Sequence, residues 1–265
     1  MASSTSTERA GRLPRARSPI DGRALGRLVR GAGSVALATR PVRGDPRRVV
    51  RALGYAVESW IEAKIRSTTP RSHLTMTRDR GPLPRGEWVL VVDAVGGIDA
   101  YLAGLPTWTV GLGLLRRGEP WSTAVYAPAL DDLYVASSGR LRWQGRVLSR
   151  RGSPPPAPTG LVLGTGLEKR SILRLRRRRE AEASLAYHAC LVARGAADGA
   201  VLGPLSYRQA APLMALLRPV HGELVSLRTG KPLDPERLRR DPTLGDPIVA
   251  AGEGRAARLL ERIKR

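Results

Sequence analysis

The apolar run Trp88-Val89-Leu90-Val91-Val92 passes directly into Asp93-Ala94-Val95-Gly96-Gly97-Ile98-Asp99-Ala100-Tyr101, and this junction constrains the chain more than any other stretch. It predicts a strand that ends in an acidic, glycine-containing turn. Phosphate and metal chemistry is commonly built at strand ends of this kind.

Periodicity supplies the surrounding elements. Leu25, Leu28, Val29, Val35 and Leu37 predict a helix over 24–39 that Gly31 and Gly33 weaken. Val49, Val50, Leu53, Val57, Trp60, Ile61 and Ile65 predict a second from Pro46 to about Ser67, with Asp45-Pro46 as N-cap and first helical residue. Short apolar or alternating runs at 88–92, 108–115, 122–127 and 133–136 read as strands, with hairpins at 116–120 and 137–140. Three consecutive prolines, Pro154-Pro155-Pro156, prevent both helix and ladder pairing, and the boundary between two halves is placed there. Beyond it the reading is strand 160–163, helix 180–193, strand 200–202, helix 209–217, strand 249–251 and helix 255–263. That alternation indicates a layered α/β second half. The organisation is a disordered tail over 1–22, an α+β half over 23–152 and an α/β half over 153–265.

The balance of 45 basic to 23 acidic residues gives a net charge of +22, which attracts anionic partners. The single Cys190 excludes an internal disulfide and any cysteine-based zinc cluster. No apolar run reaches the roughly 20 residues that span a bilayer, so a cytoplasmic protein without a membrane partner is expected.

With Gly104-Leu105-Pro106-Thr107-Trp108, Tyr126-Ala127-Pro128 and Leu133-Tyr134, the 88–101 stretch resembles the first signature of the inositol monophosphatase family, Asp-Pro-(Ile/Leu)-Asp-Gly-Thr-x-x-(Phe/Tyr). The resemblance runs from about Glu58 onward. Leu114 to Pro120 and Val125 to Tyr134 are similar to the family's central hairpin, Ser184 to Asp198 to its Gly-Ser-Ala-Ala segment, and Tyr207-Arg208-Gln209-Ala210-Ala211 to its Trp-Asp-x-Ala-Ala. It implies a layered α/β/α/β/α sandwich. It also implies Mg²⁺-dependent phosphomonoester hydrolysis and a homodimer.

The departures fall on the acidic positions to which the resemblance assigns two or three Mg²⁺. Asp93 remains as a residual metal ligand, but Gly96 replaces the second aspartate, Ile98 the threonine that helps activate water, and Arg208 the aspartate of the later motif. The expected Glu-Glu pair falls among Thr77, Arg78 and Asp79, where only Asp79 offers a carboxylate. Unit charges ~4 Å apart interact by roughly 4 kcal/mol at an effective dielectric near 20, so two Mg²⁺ at that spacing repel by about four times as much. One aspartate does not offset this, and His73, His188 and His221 form no metal-spaced pair.

What remains is anion binding: a turn at Gly96, Gly97 and Ile98 presenting backbone N–H groups to a phosphate, with Arg208 taking over charge once supplied by metal. The leading expectation is therefore a divergent, inactive or strongly impaired family member that keeps a scaffold or anion-binding role, with a phosphorylated small molecule or a polyanion as its partner. No cofactor is expected unless activity remains, in which case Mg²⁺ would serve. The alternatives are a weak Mg²⁺ phosphatase for an inositol, sugar or nucleotide phosphate, using Asp93 with Asp79 or Asp99, and an electrostatic binder of nucleic acid or another polyanion. Plainer readings stand beside these: Asp93 as a turn cap, Asp131-Asp132 as a solvated hairpin pair, Arg174 to Arg179 as a solvated helix face, and His188 and Cys190 as packing residues.

Overall fold

Two β-sheets alternate with three layers of helix. The structure, a computed structural model, describes residues 18–39, 45–69, 72–148, 162–165, 178–180, 183–240 and 246–264. The first half contains α1 (Gly22–Ala38), α2 (Pro46–Thr68), β1 (His73–Met76), β2 (Trp88–Gly96), α3 (Ile98–Leu102), β3 (Thr109–Arg116), β4 (Glu119–Ala127), β5 (Asp132–Ser137), β6 (Arg140–Trp143) and β7 (Arg146–Val147). The second contains β8 (Val162–Thr165), β9 (Arg178–Glu180), α4 (Leu185–Arg194), β10 (Gly199–Leu202), α5 (Tyr207–Leu217), β11 (Glu223–Ser226), α6 (Pro235–Arg240), β12 (Ile248–Ala251) and α7 (Ala256–Lys264). The first sheet runs β1 to β7 in order, with β1 parallel to β2 and the rest antiparallel; the second runs β11-β12-β10-β8-β9.

Alternation along each strand builds the layers. Leu90 and Val92 of β2 pack outward on α1 and α2, while Val89 and Val91 pack inward with α4, α5 and the inner faces of β10 and β12. Val201 and Val249 turn to the far side, where Leu259, Leu260 and Ile263 of α7 cover them. The helices that the resemblance placed between and outside two sheets are therefore present.

Asp45 accepts from the Arg47 N–H at 3.0 Å and Pro46 opens α2, so the capping signal marks that helix start. Ile20 is buried and Asp21 caps the Ala24 N–H at 2.7 Å, which orders the chain before residue 23. The first seventeen residues lie outside the described residues, as does the 150–158 proline segment. Gly31 and Gly33 do not interrupt α1, because they serve close packing: a Cβ on Gly31 would lie 2.2 Å from Trp60, and one on Gly33 2.7 Å from the Tyr126 ring.

Three expectations require correction. The helix expected from residue 180 begins at Leu185, and Arg178 to Glu180 form the edge strand β9 against β8. The backbone partners offered by β8 outweigh local helix propensity there. Arg178 and Arg179 are thus not on a helix face, and Arg174, Arg176 and Arg177 lie outside the described residues. The Asp131-Asp132 pair also splits: Asp131 is exposed and bound to Arg30, whereas Asp132 is buried and accepts from the Tyr134 and Tyr187 hydroxyls at 3.0 and 3.1 Å and from the Trp143 indole. Three aromatic donors replace the water it would otherwise need.

Candidate functional site

The end of β2 opens into a cavity of about 510 Å³ whose walls include Asp93, Gly96, Gly97, Ile98 and Arg208. These five residues come from β2, the Gly97 turn, α3 and α5 and meet at one cleft. Further walls are supplied by Glu58 of α2, Thr77 and Arg78 after β1, and Ser184 before α4.

Local chemistry explains how the floor forms. The register between β2 and β3 shifts between Asp93 and Gly96, and Gly97 then turns left-handed at φ 78° to start α3. A side chain at Gly97 would lie 2.7 Å from the Ser184 backbone nitrogen, so this position needs both the backbone freedom and the missing side chain of glycine. A Cβ on Gly96 would meet Asp93 Oδ2 at 2.6 Å, Ser184 Oγ at 2.7 Å and Thr109 Oγ1 at 2.8 Å. Thr109 donates to Ser184 at 2.6 Å, and Ser184 accepts from Ala186 N–H as the cap of α4. Where the resemblance placed a second carboxylate, hydroxyl oxygens close over a glycine.

Asp93 is half-buried at this floor. Thr77 donates to Asp93 Oδ1 at 3.1 Å. Burial pushes the carboxyl up to about 6, opposed by that hydrogen bond. Asp79 does not join it: its Oδ2 accepts from Thr75 Oγ1 at 2.9 Å and Met76 N–H at 2.8 Å, closing the turn after β1. Glu58 is paired with Arg78 at 2.6 Å, and burial still raises its carboxyl above the ordinary range. Asp99 is exposed in the first turn of α3.

Arg208 enters from the first turn of α5, which Ser206 and Gln209 cap reciprocally. It is buried, and its Nε donates to Thr75 Oγ1, Nη1 to the Gly81 carbonyl and Nη2 to the Pro82 carbonyl, each at 2.8 Å. Thr75 donates its hydroxyl hydrogen bond to Asp79, so the guanidinium and that carboxylate are linked through one hydroxyl. The sequence marked Arg208 by its exchange for aspartate but gave no sign of the 81–82 turn that holds it.

Mg²⁺ needs several hard oxygen ligands in near-octahedral array. Among the described residues no group of three or more His, Cys, Asp or Glu is placed to hold a metal ion. The cleft carboxylates are Glu58, tied to Arg78; Asp99, exposed; and Asp93, alone with Thr77. Two guanidinium groups share the walls. This donor set does not fit a two-metal centre. The described helices include none long and apolar enough to cross a membrane.

Residues 23–265 match the model of the inositol monophosphatase family. The uncharacterized protein y4fL of Sinorhizobium fredii is 31% identical over 109 residues, 41% of this chain and 39% of that protein. An inositol-1-monophosphatase of Mesorhizobium japonicum is 34% identical over 65 residues, 22% of this chain and 24% of the relative. The chain thus matches well under half the length of these relatives. Among solved structures, the extragenic suppressor protein suhB of Bartonella henselae superposes with a TM-score of 0.73 at 17% identity, covering 91% of this chain and 98% of that one. That likeness establishes the fold.

Proposed function

Because this chain belongs to the inositol monophosphatase family, we propose that it is a divergent member in which the metal-dependent hydrolysis is lost or strongly impaired and the cleft serves to bind an anion. The observation that carries this reading is the environment of Asp93. It faces a threonine across the cleft and hydroxyls over a glycine, with a buried guanidinium where the resemblance calls for a further carboxylate. Without clustered oxygens to neutralise paired dications, the repulsion estimated above has nothing to offset it.

Anion binding rests on what the cleft retains. The short helix α3 starts at Gly97 with no side-chain cap, leaving its first N–H groups to be satisfied by water or a ligand. Arg78 stands on the wall with its side chain 57% exposed. Arg208 adds its charge to the local field, although its three bonded donors already serve protein oxygens. A phosphate or phosphomonoester fits this combination. The competing phosphatase reading needs Asp79 or Asp99 beside Asp93, and Asp79 is engaged by Thr75 and Met76.

The test is calorimetric and enzymatic together. Titration with phosphate and with inositol, sugar and nucleotide monophosphates is expected to show binding that Mg²⁺ does not strengthen, and no Mg²⁺-dependent phosphate release. Turnover abolished by Asp93→Asn would overturn the reading, and absence of any anion binding would remove the binding role.

A further inference from the structure

A second basic surface lies away from the cleft, between α1 and β6. Gly22 and Gly26 bring α1 down onto β5: a Cβ on Gly22 would lie 2.8 Å from the Ser137 Cβ, and one on Gly26 3.4 Å from Val135 Cγ2. In the β5–β6 ladder, Ser137 is opposite Arg140 and Val135 opposite Arg142. Residues directly opposite share a face, so Arg140 and Arg142 emerge on the α1 side, one strand beyond Ser137 and Val135. On α1, Arg23, Arg27 and Arg30 recur at helical spacing on one row. Arg30 fixes the direction of that row, since it reaches Asp131 at 2.5 Å and Gln144, in the turn after β6, at 3.1 Å. The two rows therefore run in the same direction on one side of the sheet, Arg23 toward the Arg140 end and Arg27 toward the Arg142 end, with Arg30 and Gln144 closing the far end.

Among the described residues no carboxylate pairs with Arg23, Arg27, Arg140 or Arg142. Arg23, Arg27 and Arg140 are exposed and Arg142 is half-buried. Asp131 is taken by Arg30, and Asp21 at the open end caps the Ala24 N–H. Like charges facing across a groove are unfavourable unless an anion lies between them.

The spacing selects the kind of anion. Four helical residues advance about 6 Å, and two strand residues about 6.7 Å, so each row repeats its charge at close to the separation of successive phosphates on a nucleic-acid strand. A small monoester would meet only part of such a double row. Trp143 lies on the opposite face of β6, stacked on Tyr134 at 6.4 Å and beneath Arg194 at 4.4 Å, so it offers no platform for bases in this groove. We propose that the groove between α1 and β6, lined by Arg23, Arg27, Arg140 and Arg142, binds the phosphodiester backbone of a nucleic acid without reading its sequence. It is independent of the cleft reading, and substitutions at Asp93 leave it unchanged.

The test is fluorescence anisotropy of labelled 20-nucleotide single strands and 20-base-pair duplexes, as both DNA and RNA, in 50 to 200 mM KCl. Four cations neutralised on a duplex give a log–log salt slope near −3.6, a loss of about 150-fold across that range. Arg23→Gln/Arg140→Gln is expected to flatten the slope by about 1.8. Arg23→Lys/Arg140→Lys is expected to keep it, and the equal charge change Arg47→Gln/Arg51→Gln on α2 to leave it unaltered. All of these side chains are surface groups, so the variants should retain the wild-type Tm. Failure to bind either form at 50 mM KCl overturns the proposal, as does an equal effect of the α2 pair, no effect of the groove pair, or tighter groove-dependent binding of poly-glutamate. RNA and DNA arms that agree support a backbone contact indifferent to the sugar.

Discussion

Replacing Asp93 by asparagine should stabilise this protein at neutral and alkaline pH, the opposite of what a functioning metal ligand with its ion bound would do. Its carboxyl is pushed from an ordinary value of 3.8 to about 6 by burial, and roughly two units correspond to about 3 kcal/mol between the protonation states. The sign follows from proton binding. A folded pKa above the unfolded one means the native state holds the proton more tightly, so the favourable contribution is complete below pH 3.8 and is lost as pH rises to 6. Above pH 6 the native protein carries a half-buried carboxylate whose desolvation the Thr77 hydrogen bond offsets only in part. Asparagine keeps the shape and can still meet the Thr77 hydroxyl, so Asp93→Asn should gain up to about 3 kcal/mol at pH 8, about half of that at pH 5, and nothing below pH 3.8. Urea unfolding of both proteins across pH 3.5 to 8 measures this through the midpoint at constant slope. A variant less stable than wild type at pH 8, or a wild-type midpoint raised by millimolar Mg²⁺, would refute the reasoning.

Arg208→Ala removes three hydrogen bonds from a buried cation and frees the Gly81 and Pro82 carbonyls, so it should cost about 3–5 kcal/mol by chemical denaturation. Gly97→Ala meets both a φ of 78° and the Ser184 backbone at 2.7 Å; a loss of about 1–3 kcal/mol in the same assay is expected. Asp132→Ala leaves the Tyr134, Tyr187 and Trp143 donors unsatisfied between α4 and the first sheet, and differential scanning calorimetry should show a loss of about 2–4 kcal/mol.

Elements with dense local signals could be read from the sequence. Asp45-Pro46 with Val49, Leu53, Val57, Ile61 and Ile65 specifies α2 because its cap and buried stripe lie within one segment. The Trp88 to Val92 run likewise specifies β2. What was missed depends on distant partners. His73 to Met76 and Glu223 to Ser226 carry too little apolar pattern to announce strands, and they become β1 and β11 because β2 and β12 offer open edges. Arg178 to Glu180 looks helical in isolation and pairs with β8 in the fold. At the site, the departures from the acidic positions that the resemblance assigns are legible residue by residue. The contacts that take their place are not, since Thr109 meets Ser184 across 75 residues, and Arg208 meets Pro82 and Gly81 across 126 and 127.

The central claim is that the cleft around Asp93 does not hold paired dications. Electron paramagnetic resonance of free Mn²⁺, used as a spectroscopic substitute for Mg²⁺, measures this directly as protein is titrated in. The predicted result is a free-ion signal that wild type and Asp93→Asn leave equally intact at micromolar metal. Stoichiometric loss of that signal with wild type, with one or two ions bound per chain and the binding absent in Asp93→Asn, would contradict it.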